Sequence, residues 1–558
     1  MKKLFASILL MVIGFIPPAM SCTNFIFTRG ATTDGSVMIT YSADSHQLYG
    51  ELYFWPARDW PDGSMVDVKE WDTGKPLGKI PQIKHTYQVV GNMNENQLAI
   101  GETTFGGREE LASQPGAIID YGSLIYITLQ RAKNAREAIR VMGKLVEDYG
   151  YASSGESFSI SDPQEAWILE MIGKGDKEKG AVWVAMRIPD GYVSGHANHP
   201  RITQFPLNDS ENCIYSPDAI SFARKMGWFN GDDKEFSFSD TYAPLDFGGA
   251  RFCEARVGAM FNRINAQMGQ YQDYAMGKFS TGKHGYAMGR MPLWIKPDKK
   301  ISVHDVMELM RDHYQNTKMD MNNDIGAGPF GLPIRWRPMT WKVDGEAYCH
   351  ERATSTQQTG FVFVAQSRSW LPDPIGGILW FAVDNTYTTV YNTMYCGINR
   401  VPESFAVGNG SLLHYSPTSA FWTFNWVTNW VYSRWNVMLP DLQKVQRELE
   451  KRYIAMTPAV DNAAAELYQL DPAMAIEYIT NYSVSTGNYT VKRWKELGEY
   501  LLVKYIDGNI KKEKEGKFET NEWGIPASPS QPGYPEWWLK EIVRQHGDVI
   551  RQSGPAGH

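Results

Sequence analysis

Apolar and polar positions alternate in short runs through most of the chain. Asn24–Phe27 and Val37–Tyr41 read as two strands; between them Gly30 and Asp34-Gly35 signal a turn, so the segment predicts a hairpin. Tyr87–Val90 and Leu98–Ile100 repeat the arrangement around a polar turn at Asn92 to Asn96. Ser157–Ile160 and Ala166–Glu170 flank Asp162-Pro163, and Val182–Arg187, Phe361–Gln366 and Ile378–Ala382 read as further strands. Between them the period changes. In Ala132 to Tyr149, residues Ala135, Ile139, Met142, Leu145 and Val146 share one face of a helix. Val303 to His313 reads as another helix, with Ser302 placed to cap it. Strands and helices joined by many short turns predict an α+β fold, an antiparallel sheet packed with helices.

From Pro440 the pattern becomes helical throughout: Asp441 to Tyr453, Asp461 to Leu470, Pro472 to Tyr482 and Tyr489 to Tyr505. A charged stretch (508–516), an irregular Pro/Ser-rich stretch (527–534) and a short helix around Trp537 to Gln545 follow. The division this predicts is a main domain over 22–439 and a helical C-terminal extension over 440–558.

Residues 1–21 stand apart. Lys2 and Lys3 precede an apolar run from Leu4 to Ile16, Pro17-Pro18 end it, and Ala19 and Ser21 place small residues at −3 and −1. This is the pattern of a secretory signal cut after Ser21, and its apolar run is too short to span a bilayer. The expected location is periplasmic or extracellular, with no stable membrane insertion. The 558 residues, 43% of them hydrophobic, are ample for a large core, and the 19 Trp and 29 Tyr read mainly as core. A net charge of −7 without a basic block points away from nucleic acid as a partner. Of five cysteines, Cys213, Cys253, Cys349 and Cys396 allow either two disulfides or buried free thiols; none forms a CxxC pair of the kind a zinc site uses.

The fifth, Cys22, becomes the first residue when the leader is removed. It then carries a thiol and a free α-amine together, and the amine, with a reference pKa of ~7.7–8.0, can act as base for its own thiol. A cysteine after a signal is also the lipid-acceptor of bacterial lipoproteins, and acylating the amine would remove that base. Two features favour the free cysteine. Met20 fits the lipoprotein pattern poorly, and Cys22-Thr-Asn-Phe-Ile-Phe-Thr-Arg29 is strand-like at once instead of a polar tether. The anchor reading leaves a surface lipoprotein that binds peptides or glycans through its aromatics.

The segment from Cys22-Thr-Asn-Phe through Gly30-Ala-Thr-Thr-Asp-Gly-Ser-Val-Met-Ile-Thr-Tyr-Ser-Ala-Asp44 resembles the start of the bacterial dipeptidase A and secernin family of N-terminal-nucleophile cysteine hydrolases. Further stretches agree in order: Met93-Asn-Glu-Asn-Gln-Leu-Ala-Ile-Gly-Glu-Thr-Thr104, Glu165-Ala-Trp-Ile-Leu-Glu170, Gly195-His-Ala-Asn198, Arg311-Asp-His-Tyr314, Ala327-Gly-Pro-Phe-Gly331, Glu351-Arg-Ala-Thr-Ser-Thr-Gln-Gln-Thr359 and Ser367-Arg-Ser-Trp-Leu-Pro372. The resemblance covers about residues 22 to 430. It implies an αββα sandwich, two antiparallel sheets between helical layers, and hydrolysis of dipeptides or short peptides without a metal or cofactor.

Carried over residue by residue, the resemblance makes Cys22 the nucleophile and Asp44 the carboxylate that holds the α-amine or the substrate's amine. Asn198 becomes the side-chain donor to the oxyanion. Thr103 matches a turn that contributes to the pocket, and Arg352 a strand arginine near the nucleophile. Glu102 is a candidate carboxylate for a substrate ammonium, set against the reading of an exposed strand-edge Glu. One position departs from the pattern: relatives commonly have Arg or Lys three residues before the Asp, where this chain has Tyr41. Arg29 and Arg352 are candidates to replace that cation. The departure also leaves room for N-acyl amides of the bile-salt or penicillin type as substrates.

Other motifs fall away. His196 and His199 lack a third metal ligand or the HExxH pattern. Gly326-Ala-Gly328-Pro-Phe-Gly331 fits the dinucleotide expression, but Pro329 and the prolines after it preclude the required helix. Asp320 to Asp324 lacks the Gly and closing Glu of an EF-hand. Oligomerisation stays open.

Overall fold

A computed structural model describes residues 22–555; the expected signal peptide lies outside the described residues. Two antiparallel sheets make the body. The first has the order Trp294–Ile295, Val193–His196, Asn24–Phe27, Val37–Asp44, Thr359–Ser367, Ile378–Val383, Asn392–Tyr395. The second runs Cys213–Tyr215, Ala181–Arg187, Ala166–Gly173, Gly155–Ser161, Ala99–Phe105, Met93–Asn94, Val89–Val90, Phe54–Trp55. Both long central strands, Val37–Asp44 and Thr359–Ser367, are buried at every position, because each sheet is covered on both faces. Apolar runs of this kind are what a doubly covered sheet selects.

The sheets pack face to face, with the strands 24–27 and 37–44 against 99–105 and 155–161. The approach is closest at Gly101: a Cβ there would lie 2.8 Å from Asn24 Nδ2 and 3.1 Å from Tyr41 Cβ. A side chain would force the sheets apart where Cys22 begins the first one. Helices Tyr121–Arg131 and Ala135–Tyr149 cover the outer face of the second sheet. On the first sheet lie Val303–Met310 and, from the C-terminal region, Ala420–Ser433, Trp435–Leu470 and Pro472–Tyr505. The layering is helix, sheet, sheet, helix, an α+β sandwich.

Most predicted elements are present, with differences at their ends. The first hairpin forms with Ile26 opposite Ile39, and Ser302 caps its helix through a reciprocal bond pair with Asp305. The predicted helix from Ala132 starts at Ala135 and is preceded by an unpredicted one, Tyr121–Arg131, begun by an Asp120–Ser123 capping box. The helix from Val303 ends at Met310 instead of His313. The strand expected over 87–90 is reduced to Val89–Val90, and a separate two-residue strand, His85–Thr86, precedes it. Four expected C-terminal helices are two: Trp435–Leu470 runs through Pro440 and Pro458, and Pro472–Tyr505 is unbroken. Tertiary packing overrides the local breakers. Buried Glu450 pairs with Arg311 at 2.5 Å and Asp461 with Arg368, while fully buried Trp494 stacks on Phe424 at 4.7 Å. Residue 440 thus falls inside a helix anchored to the first sheet.

All five cysteines are free thiols. No helix among the described residues is long and apolar enough to cross a membrane.

Candidate active site

Cys22 stands two residues before the start of the strand Asn24–Phe27, and the bridge Thr23–Ser42 fixes the intervening residue to the neighbouring strand. Its side chain is fully buried between the sheets. The sulfur lies 3.9 Å from Tyr41 Oη and 3.6 Å from Glu102 Oε1, and the Tyr41 hydroxyl donates to the same Glu102 oxygen in a close contact. The Tyr41 ring is held edge-on by Phe361 and Phe363. Burial pushes the thiol well above its usual range, and the Glu102 and then Asp44 carboxylates add to the rise. The Asp44 backbone and the Tyr41 hydroxyl oppose it only in part. Tyr41 therefore occupies the expected cation's place as a neutral group, its hydroxyl accepting from the thiol and donating to Glu102. Arg29 does not compensate: it is exposed and bonds Gln164.

Arg352 is not the strand arginine the motif suggested. It lies in the loop before Thr359–Ser367, and its guanidinium pairs with Asp44 Oδ2 at 2.6 Å. Asp44 also accepts from Ser42 Oγ at 3.1 Å and Thr359 Oγ1 at 2.6 Å, so both oxygens are engaged. Thr103 is inside the strand Ala99–Phe105, not on a turn, and its hydroxyl is 2.7 Å from His196 Nδ1. Ser159 Oγ meets the other ring nitrogen at 2.8 Å; burial, then the Arg201 charge, pulls the imidazole down to about 3. Both nitrogens of His196 are thus engaged by hydroxyls. Glu102 is no edge residue: it is fully buried in mid-sheet. Asn198 has a positive φ of 60° and donates from Nδ2 to Thr104 O at 2.7 Å.

Arg256 is among the residues that escaped the sequence reading. Arg256 donates to the Cys22 carbonyl, to Thr23 Oγ1 at 2.8 Å, to Ala197 O at 3.1 Å and to Asn198 Oδ1 at 2.8 Å. It clamps the first residues of the central strand to the Asn198 loop. The available signal was its place on the apolar stripe of the helix Ala255–Ile264, in line with Met260 and Ile264. A buried cation needs partners, and on such a stripe it marks a polar task.

A cleft of about 790 Å³ opens beside these groups. Its charged lining comprises Arg256, Arg337 and Arg352 together with the acids Glu70, Asp72, Asp120, Glu156 and Asp246.

The family model for peptidase family C69 matches residues 21–448. The chain belongs to peptidase family C69. Curated relatives of this C69 peptidase are distant but extensive. A probable dipeptidase of Salmonella dublin is 24% identical over 412 residues, 68% of this chain and 82% of that protein. Probable dipeptidase B of Streptococcus pyogenes serotype M1 is 22% identical over 91% of this chain and 98% of its own. A probable dipeptidase of Latilactobacillus sakei is 23% identical over 84% and 93% respectively.

Proposed function

We propose that this C69 peptidase is exported, loses residues 1–21 and acts from Cys22 as a dipeptidase. The observation that carries the reading is the placement of the Cys22 thiol, buried at the head of a central strand with Tyr41, Glu102 and Asp44 around it. Three facts add support. The family match begins at residue 21, the relatives named above are probable dipeptidases, and the cleft carries charges of both signs. A fully buried sulfur also leaves no room for a lipid chain, which favours a free Cys22 over an anchor.

In this mechanism the α-amine of Cys22 takes the thiol proton and the thiolate attacks the substrate carbonyl. Asn198 and a backbone N–H hold the oxyanion. The ammonium then gives its proton to the leaving amine, and the C–N bond breaks. Water attacks the thioester, again losing a proton to the α-amine, and releases the second product.

The test compares full-length protein with protein beginning at Cys22 on one dipeptide. An amide nitrogen is no useful base, so the unprocessed form should be nearly inactive. Activity of the processed form should rise with pH as the amine deprotonates, around ~7.7–8.0. Equal rates for the two forms would eliminate the α-amine as base. Cys22→Ala in the processed form should stay folded and lose hydrolysis; full activity would end the assignment. The intact mass of the native N-terminus should match free Cys22, and a lipid-modified mass would refute the mechanism.

A further inference from the structure

Glu102 and Glu156 lie on adjacent strands of the second sheet. The register sets Thr104 opposite Glu156 and Glu102 opposite Phe158, so the two glutamates are diagonal neighbours on one face. Both are 0% exposed. Glu102 Oε1 accepts from Tyr41 and from the thiol, and Glu156 Oε1 accepts from Thr104 Oγ1 at 2.8 Å. Their second oxygens, Glu102 Oε2 and Glu156 Oε2, are buried and meet no donor among the described residues. The two carboxyls are within hydrogen-bond reach of each other, and such a bond needs a proton between them.

The titratable groups facing the pair are Cys22, Tyr41, Asp72, Asp120, Tyr121 and Tyr151. These side chains are all acids, and the α-amine that processing would give Cys22 is the neighbouring group able to carry a positive charge. Glu156 lines the cleft, while Glu102 reaches the nucleophile at 3.6 Å. In any amino acid the α-nitrogen is ~2.5 Å from its own carbonyl carbon. A residue whose carbonyl carbon meets the Cys22 sulfur therefore brings its amine within reach of these oxygens.

We infer that Glu102 and Glu156 together form the receptor for the α-ammonium of the substrate residue whose carbonyl is attacked. The site thus demands a free N-terminus next to the scissile bond. This rests on the reading that Cys22 acts on dipeptides, and it assigns Glu156 a role that no motif indicated. The pair by itself keeps one proton, held on Glu156: burial raises both carboxyls, the Glu102 charge and hydrogen bond raise Glu156 further, and the hydrogen bond from Glu156 draws Glu102 back down. The incoming ammonium presents three N–H donors, and the shared proton leaves to solvent. The pair gains one negative charge as the ligand brings one positive charge. An N-acylated peptide has neither the charge nor the donors, so it leaves the pair protonated and binds more weakly. N-acyl amides are thereby disfavoured as substrates.

The experiment is calorimetric and uses protein beginning at Cys22 with Cys22→Ala, which separates binding from turnover. Alanyl-alanine and N-acetyl-alanyl-alanine are titrated near pH 6.5 in buffers of different ionisation enthalpy. The free dipeptide should bind about a hundredfold more tightly and release close to one proton; the acetylated one should release none. Glu156→Gln should collapse both the preference and the proton release. Equal affinities, or a preference that survives Glu156→Gln together with unchanged proton release, would overturn the inference. Hydrolysis that persists in Cys22→Ala, measured separately, would refute the nucleophile instead and leave the binding ratio to judge the pair.

Discussion

Two buried acidic groups flank the same sulfur, and they are built on opposite plans. Asp44 has a guanidinium and two hydroxyls on its carboxylate, and its backbone carbonyl accepts from Gln358 at 3.1 Å. Glu102 and Glu156 have a phenol, a thiol and one threonine hydroxyl between them, with an oxygen left over on each. A buried charge with complete partners holds structure. A buried pair with an oxygen left over on each carboxyl remains ready for donors from outside. The first group fixes where Cys22 stands, and the second faces what reaches it.

Removing a partner from the complete group should have the largest effect. Asp44→Ala leaves Arg352 buried without its carboxylate and should lower unfolding free energy by about 3–5 kcal/mol, read from denaturant midpoints. A loss under about 1 kcal/mol would show that the pair is not the anchor described. Next comes the clamp. Arg256→Met strips donors from the Cys22 carbonyl and from Ala197, and should destabilise by about 2–3 kcal/mol with activity falling further than stability explains. Arg256→Lys should recover part of the fold and little of the activity, since one ammonium cannot reach four acceptors on two segments. If Arg256→Lys restored full activity, the geometry of the fork would be irrelevant.

Tyr41→Phe touches the boundary between the groups. It removes a donor from Glu102 and the hydroxyl that partly lowers the thiol, so the sulfur should alkylate more slowly at a given pH. The stability loss should be about 1–3 kcal/mol; faster alkylation would contradict the described role of the hydroxyl.

The smallest effect has the opposite sign. Burial first, then the Glu102 charge, raises Glu156 above its unfolded value of ~4.3. Above that pH the folded chain holds more of this proton than the unfolded one. The pair's contribution is therefore fully favourable below ~4.3 and declines as pH rises through the folded value. Glu156→Gln should remove that decline and gain about 1 kcal/mol near neutral pH. A variant whose pH–stability curve runs parallel to the wild type would show that the pair carries no raised proton affinity.

Much of the site was legible, unevenly. Cys22 stood out as a candidate from the apolar run before it and from chemistry that needs one residue alone. Asp44 was marked by its motif, and the structure places its charge beside the thiol. Thr103 was read as part of a turn but lies inside a strand beside His196, because where that strand ends and what it faces depend on the packed sheets. The C-terminal helices were cut at prolines and polar residues that packing overrides. Arg256 and Glu156 were missed because each has its meaning only beside residues far along the chain.

The sequence by itself determined the strand and helix periods and the mixed architecture. These depend on contacts a few residues long, which a pattern can express. The tertiary structure decided the rest. Cys22 meets Glu102 across 80 positions, Arg256 across 234, and Asp44 meets Arg352 across 308. At such separations the charge state of a carboxyl depends on what burial removes and which partners the fold returns, and only the packed sheets fix both.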